Sequence, residues 1–177
     1  MKIRLLMALL AAAPVGYAWA VSPDASRGAE MLKPFKQQLM GALKSGLQQG
    51  PDQAISVCQK KAPEIASGLS IDGVEMGRSS HKLRNPDNAP PAWVSPVIEA
   101  YLADEAFIMP VALSAGEGRM GYIEPIRLKA APCLMCHGET LAPAIAEKID
   151  VLYPDDQATG FKEGDLRGVF WVSWPEE

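Results

Sequence analysis

Residues 27–49 read Arg27-Gly28-Ala29-Glu30-Met31-Leu32-Lys33-Pro34-Phe35-Lys36-Gln37-Gln38-Leu39-Met40-Gly41-Ala42-Leu43-Lys44-Ser45-Gly46-Leu47-Gln48-Gln49. Met31, Phe35, Leu39, Leu43 and Leu47 recur at steps of four, which keeps one apolar stripe on one helix face. Proline is tolerated in a first turn, so Pro34 places the start of this helix near Leu32. Gly50-Pro51-Asp52 breaks it and opens a second helix, Gln53 to Ser67. On that helix Ile55, Cys58, Ala62 and Ile65 share a face, with Gln59, Lys60 and Lys61 pointing elsewhere. Cys58 therefore looks inward.

The pattern changes after Gly68. Val74 to Ser79 reads as a short strand, and Arg84-Asn85-Pro86-Asp87-Asn88-Ala89-Pro90-Pro91 as a turn-rich loop. Ser95 to Asp104 reads as a helix capped by Ser95, with Pro96 in its first turn. Ile108–Leu113 and Tyr122–Leu128 flank Gly116-Glu117-Gly118-Arg119 as a hairpin, in which Pro110 and Pro125 point to edges or strand ends. Leu141 to Val151 is a further helix and Gly168 to Trp174 a last strand. Two helices followed by strands with helices between them imply an α+β domain.

The N-terminus carries Lys2 and Arg4, an apolar run from Leu5 to Ala13, and Ala18-Trp19-Ala20. This is the layout of a secretory signal peptide cut after Ala20; the apolar segment is too short for a membrane span, although an uncleaved anchor is the competing reading. Residues 21–177 are then expected to be one exported, periplasmic domain with no integral membrane segment. Loss of Lys2 and Arg4 takes the net charge from −4 to about −6. An acidic chain of this kind lacks the basic footprint that nucleic acid requires.

The chemistry concentrates in Cys133-Leu134-Met135-Cys136-His137-Gly138. Two thiols at this spacing can add to the two vinyl groups of a haem, and the histidine after the second is held beside the iron as proximal ligand. C-x-x-C-H is the attachment signature of c-type haem, and export supplies the compartment where attachment occurs. A disulfide or thioredoxin-like pair would need a βαβ setting, which the residues before Pro132 do not provide. A zinc site built from Cys58, Cys133, Cys136 and His137 would strain two adjacent ligands onto one tetrahedral ion.

The iron's second axial position has several candidates: His81, the methionines Met31, Met40, Met76, Met109 and Met120, and the leftover Cys58. The spacing serves Cys58 equally well as a core thiol and as a ligand. His81 sits in a polar stretch and suits a solvated or propionate-contacting role. Arg78, Lys82, Arg84, Arg127 and Lys129 flank the motif blocks and are candidate propionate partners. Gly164-Asp165-Leu166-Arg167-Gly168 reads as a turn into the last strand, with an Asp165–Arg167 ion pair.

Several ordered blocks together resemble a bacterial and cyanobacterial family of c-type haem domains with a PAS-like fold. They are Ala54-Ile55-Ser56-Val57-Cys58 with Ala62-Pro63, then Gly77-Arg78-Ser79-Ser80 leading to Arg84-Asn85-Pro86-Asp87-Asn88-Ala89-Pro90. The haem motif and the closing Gly164–Gly168 segment complete the series. Pro91-Ala92-Trp93-Val94 departs from the pattern, because relatives more often carry acids after Pro90 and after the tryptophan. The resemblance implies helices packed on a PAS-like antiparallel sheet, one covalent haem c between them, and Cys58 as distal ligand opposite His137. A thiolate ligand lowers the iron's potential and can leave on reduction, which points to low-potential electron transfer with a periplasmic redox partner, or to a sensor of redox state or of a small gas such as NO or CO with a signalling partner. With both axial positions filled, an enzyme is the least favoured class.

Overall fold

The computed structural model describes residues 23–177, so the signal-peptide reading over residues 1–20 lies outside the described residues. The order is α1 (Pro23–Gln49), α2 (Pro51–Leu69), β1 (Glu75–Ser79), a 3-10 turn at Pro86–Asn88, α3 (Ser95–Ala103), β2 (Val111–Gly116), β3 (Arg119–Arg127), α4 (Leu134–His137), α5 (Pro143–Leu152) and β4 (Leu166–Pro175). The expected α+β class holds. Four strands form one antiparallel sheet in the order β1-β4-β3-β2. Among the described residues no helix is long and apolar enough to cross a membrane.

The sheet is buried on both faces, and strand alternation sorts its side chains between them. Val172 and Trp174 of β4, Tyr122 of β3 and Met76 of β1 pack with Leu32 and Phe35 of α1. Val169 of β4 and Ile123 of β3 pack instead with Val94, Val97, Ile98 and Tyr101 around α3. The α1–α2 hairpin closes tightly because Gly46 faces Ala54, where an added Cβ would lie 2.7 Å from the Ala54 Cα. The β2–β3 turn needs positive φ at Glu117 (53°) and Gly118 (68°), the conformation that suits a two-residue hairpin and that glycine adopts without cost.

Several local expectations are corrected. α1 begins at Pro23 and carries Pro34 inside it. The carbonyl deprived of its donor belongs to Glu30, an exposed residue that water can serve, while Leu32 and Phe35 are held in the core on either side. α3 is capped by Val94, not Ser95, and has no side-chain cap bond. Val94 is fully buried and already bonded to the Pro91 carbonyl at 2.9 Å, so packing fixes the helix entry one residue earlier. Pro125 lies within β3, an inner strand, but past Val111↔Ile123, where β2 pairing ends, so its missing N–H costs no ladder bond on that side. Asp165 and Arg167 do not pair: the Asp165 carboxylate accepts from the Lys162 N–H at 2.7 Å, and Arg167 donates to the Lys82 carbonyl at 3.1 Å.

Candidate functional site

α4 is a single turn, held by bonds of the Cys136 and His137 N–H groups to the Cys133 carbonyl at 3.2 and 3.1 Å. That turn sends the two thiols to different surroundings. Cys133 and Leu134 lie against Leu128, Ala158 and Phe161, whereas Cys136 lies against the Ile55, Ile145 and Ile149 cluster of α2 and α5. The three cysteines are free thiols. Burial raises Cys136 above the ordinary thiol value; Arg84 opposes the shift, while Cys58 and Cys133 add to it. The zinc alternative is not assembled: among the described residues no three His, Cys, Asp or Glu side chains gather to hold a metal ion.

His137 is fixed from both its ring and its backbone. Its Nδ1 lies 2.7 Å from the Ala158 carbonyl. A carbonyl can only accept, so Nδ1 carries the proton and Nε2 keeps its lone pair. The His137 carbonyl in turn accepts from the Phe161 N–H at 3.0 Å, and the two rings meet edge to face with centroids 6.3 Å apart. Burial lowers the imidazole to about 3, with Arg167, Arg84 and Arg78 acting the same way and the Ala158 bond opposing. The ring is neutral at ordinary pH, the form that ligates metal.

Cys58 projects from α2 into a cavity of 640 Å³ between α2, edge strand β1, the Arg84–Ala89 loop and Leu152–Asp155 at the end of α5. The volume is within the roughly 300–1,000 Å³ usual for cofactor sites. Phe35, Met76, Arg78, Tyr153 and Trp171 also line it. Burial raises the Cys58 thiol, and Arg78 and Arg84 pull it back. Gln59, expected to point away, lines the cavity and donates to the Leu152 carbonyl at 3.1 Å. Only one helical step separates it from Cys58, and the wall reaches that far because α5 packs alongside α2. Cys133, Cys136 and His137 are not on the cavity wall.

Arg84 joins the two halves of the site. It lines the cavity, donates to the Cys136 carbonyl at 2.7 Å and to the Ala158 carbonyl at 3.2 Å, and pairs with Asp156 at 2.9 and 3.1 Å. Asp156 also accepts from the Ala158 N–H at 3.0 Å. The carbonyl that orients His137 is therefore itself held by Arg84. Sequence reading counted Arg84 only as a flanking cation; a 72-residue separation from Asp156 hid the pairing.

The other candidates scatter. His81 is exposed, off the cavity wall, and packs edge to face on Phe161 at 5.8 Å. Of the methionines, Met76 lines the cavity, Met40 and Met109 are exposed, and Met31 and Met120 fill the helix–sheet core. Arg127 donates to carbonyls of Tyr101, Glu105 and Phe107 on the α3 side. Lys129 is exposed.

Fold and site together define an α+β domain in which a helical hairpin packs on a four-stranded antiparallel sheet, with a cavity lined by Cys58 near a C-x-x-C-H turn. Residues 20–175 match the Tll0287-like family, and the chain belongs to it. The structure resembles the crystal structure of the cyanobacterial haem protein Tll0287, with 27% identity and a TM-score of 0.62 over 89% of this chain and 98% of that one. No curated protein matches the sequence.

Proposed function

We propose that this chain is a periplasmic mono-haem c-type protein that transfers electrons at low potential and is not a catalyst. Cys133 and Cys136 take the haem covalently, His137 is the proximal ligand and Cys58 the distal one. Family membership and the likeness to Tll0287 support haem binding. The observation that carries the ligand assignment is the Nδ1 bond of His137 to Ala158 at 2.7 Å, which leaves Nε2 free one residue from the second thiol. The donor set suits the group: both attachment thiols are free, the imidazole is neutral, and a third thiol lines a cavity of suitable size, with the C-x-x-C-H turn outside that wall but bonded through the Cys136 carbonyl to Arg84, which is on it.

Bound haem would supply a one-electron iron centre, whose potential thiolate ligation lowers. The chain's own part is to hold His137 in one tautomer through Ala158, to brace that carbonyl with Arg84, and to enclose Cys58 among Phe35, Met76 and Trp171. A redox partner docking on the protein is part of this reading, as is the absence of nucleic acid.

Absorption spectra of ferric and ferrous protein, matured with a c-haem assembly system, test it in wild type and Cys58→Ala. The expected ferric form is six-coordinate and low-spin, with a thiolate-to-iron charge-transfer band that vanishes in the variant. An unchanged variant spectrum rules out Cys58 and turns attention to Met76 on the same wall. Ferrous protein that keeps both ligands is a carrier, whereas ligand loss with uptake of carbon monoxide marks a gas or redox sensor. Protein that never acquires covalent haem refutes the proposal.

A further inference from the structure

Strand alternation along β1 puts Met76 and Arg78 on one face and Gly77 and Ser79 on the other. Gly77 and Ser79 meet Trp171, Gly77 by close approach to its ring and Ser79 by accepting the indole N–H at 3.0 Å. Met76 belongs to the core formed with α1, so Arg78 is turned toward the helices; it lines the cavity of Cys58 at the sheet edge, as do Gly77, Ser79 and Trp171. Arg78 is half-buried and lines the cavity, where its guanidinium keeps accessible surface. Burial lowers it from the ordinary guanidinium value, with Cys58 and Tyr153 opposing.

The other cations near the site each donate to at least one protein carbonyl, although the Arg167 Nε is buried without a partner. Arg84 is committed to Asp156 and two carbonyls. Arg167 donates to the Lys82 carbonyl and lies over Phe161. Lys82 reaches the Thr159 carbonyl and the same ring. Among the described residues Arg78 has no hydrogen bond and no ion pair with any protein group. A half-buried guanidinium on a cavity wall with no protein partner is available to an anion, and its planar fork matches a carboxylate with two parallel bonds.

We propose that Arg78 is the carboxylate-binding residue of this cavity, holding an acid group of the ligand that the cavity takes up. Resting on the function proposed above, that acid is a haem propionate; the chemistry would equally serve a free small carboxylate. Arg78 forms no bond within the fold, so Arg78→Gln and Arg78→Lys are expected to fold, which thermal melts check.

The test is resonance Raman of the haem-loaded chain together with its ferric absorption spectrum. In Arg78→Gln the propionate bending mode should move to the position of an unpaired acid, with Arg78→Lys between it and wild type and the thiolate charge-transfer band unmoved. A charge-transfer band that shifts while the propionate mode stays would make Arg78 the partner of the Cys58 thiolate and overturn the proposal. No change in either signal would also overturn it. Should the full chain carry no haem, the function above fails separately, and titration with succinate decides: at least tenfold weaker binding in Arg78→Gln supports a site for a free acid, and equal or absent binding refutes it.

Discussion

Replacing Arg84 with glutamine removes one partner of a buried ion pair. Arg84 and Asp156 side chains are 12% and 6% exposed, and the guanidinium bonds both carboxylate oxygens and two backbone carbonyls. Arg84→Gln leaves the Asp156 carboxylate in place with only the Ala158 N–H as a remaining partner. Breaking a buried pair from one side costs about 3–5 kcal/mol, because the residual charge stays desolvated. For a domain of this size that corresponds to a fall in Tm of roughly 10 °C. Asp156→Asn should cost less, about 1–3 kcal/mol, because Arg84 keeps its bonds to the Cys136 and Ala158 carbonyls. The double variant should lose less than the sum of the singles, with a coupling of about 2 kcal/mol. Urea unfolding of all four proteins at neutral pH measures the cycle. Additivity within about 0.5 kcal/mol, or a loss under about 1 kcal/mol for Arg84→Gln, would show that the pair behaves as an exposed one and that the reasoning is wrong.

Burial, with Glu124 adding to it, raises the Tyr122 phenol to about 12. A raised folded-state value means stability that is complete below the unfolded value near 10 and lost as pH climbs through 12. The loss attributable to this group is about 2–3 kcal/mol between pH 10 and pH 12, and Tyr122→Phe should flatten that part of the stability profile in urea titrations. Gly28→Ala drives a Cβ into the Tyr122 side chain, so α1 must lift from β3; a net loss of about 1–3 kcal/mol is expected by thermal melting, despite alanine's better helix propensity. Phe35 is 1% exposed and meets Phe170 edge to face at 5.7 Å, so Phe35→Ala should cost about 3–5 kcal/mol, with Phe35→Leu recovering much of it.

The C-x-x-C-H turn was legible because the spacing of two thiols and a histidine along one stretch of chain is a property of sequence. Helix and strand periods were legible for the same reason, which is why the α+β class and the inward aim of Cys58 could be read without coordinates. The start of α1 and the cap of α3 could not be read. There the local signals, Pro34 and Ser95, were overridden by packing of Leu32, Phe35 and Val94 against the sheet. Pro125 likewise depended on where a neighbouring strand happens to end.

The sequence by itself determined which residues can do chemistry: two thiols and a histidine on one turn, and a third thiol on an amphipathic helix. Only the tertiary structure decided which of the neighbouring cations are bonded to protein groups. Arg78, Arg84, Lys82 and Arg167 are alike in sequence as basic residues beside a motif, and charge alone cannot rank them. Their ranking comes from whether a carboxylate or carbonyl has been folded against each one. For Arg84 the partner is Asp156, brought from 72 residues away; for Arg78 it is an open cavity wall. A hydrogen bond is satisfied over about 3 Å regardless of separation along the chain, so its existence is settled by the fold.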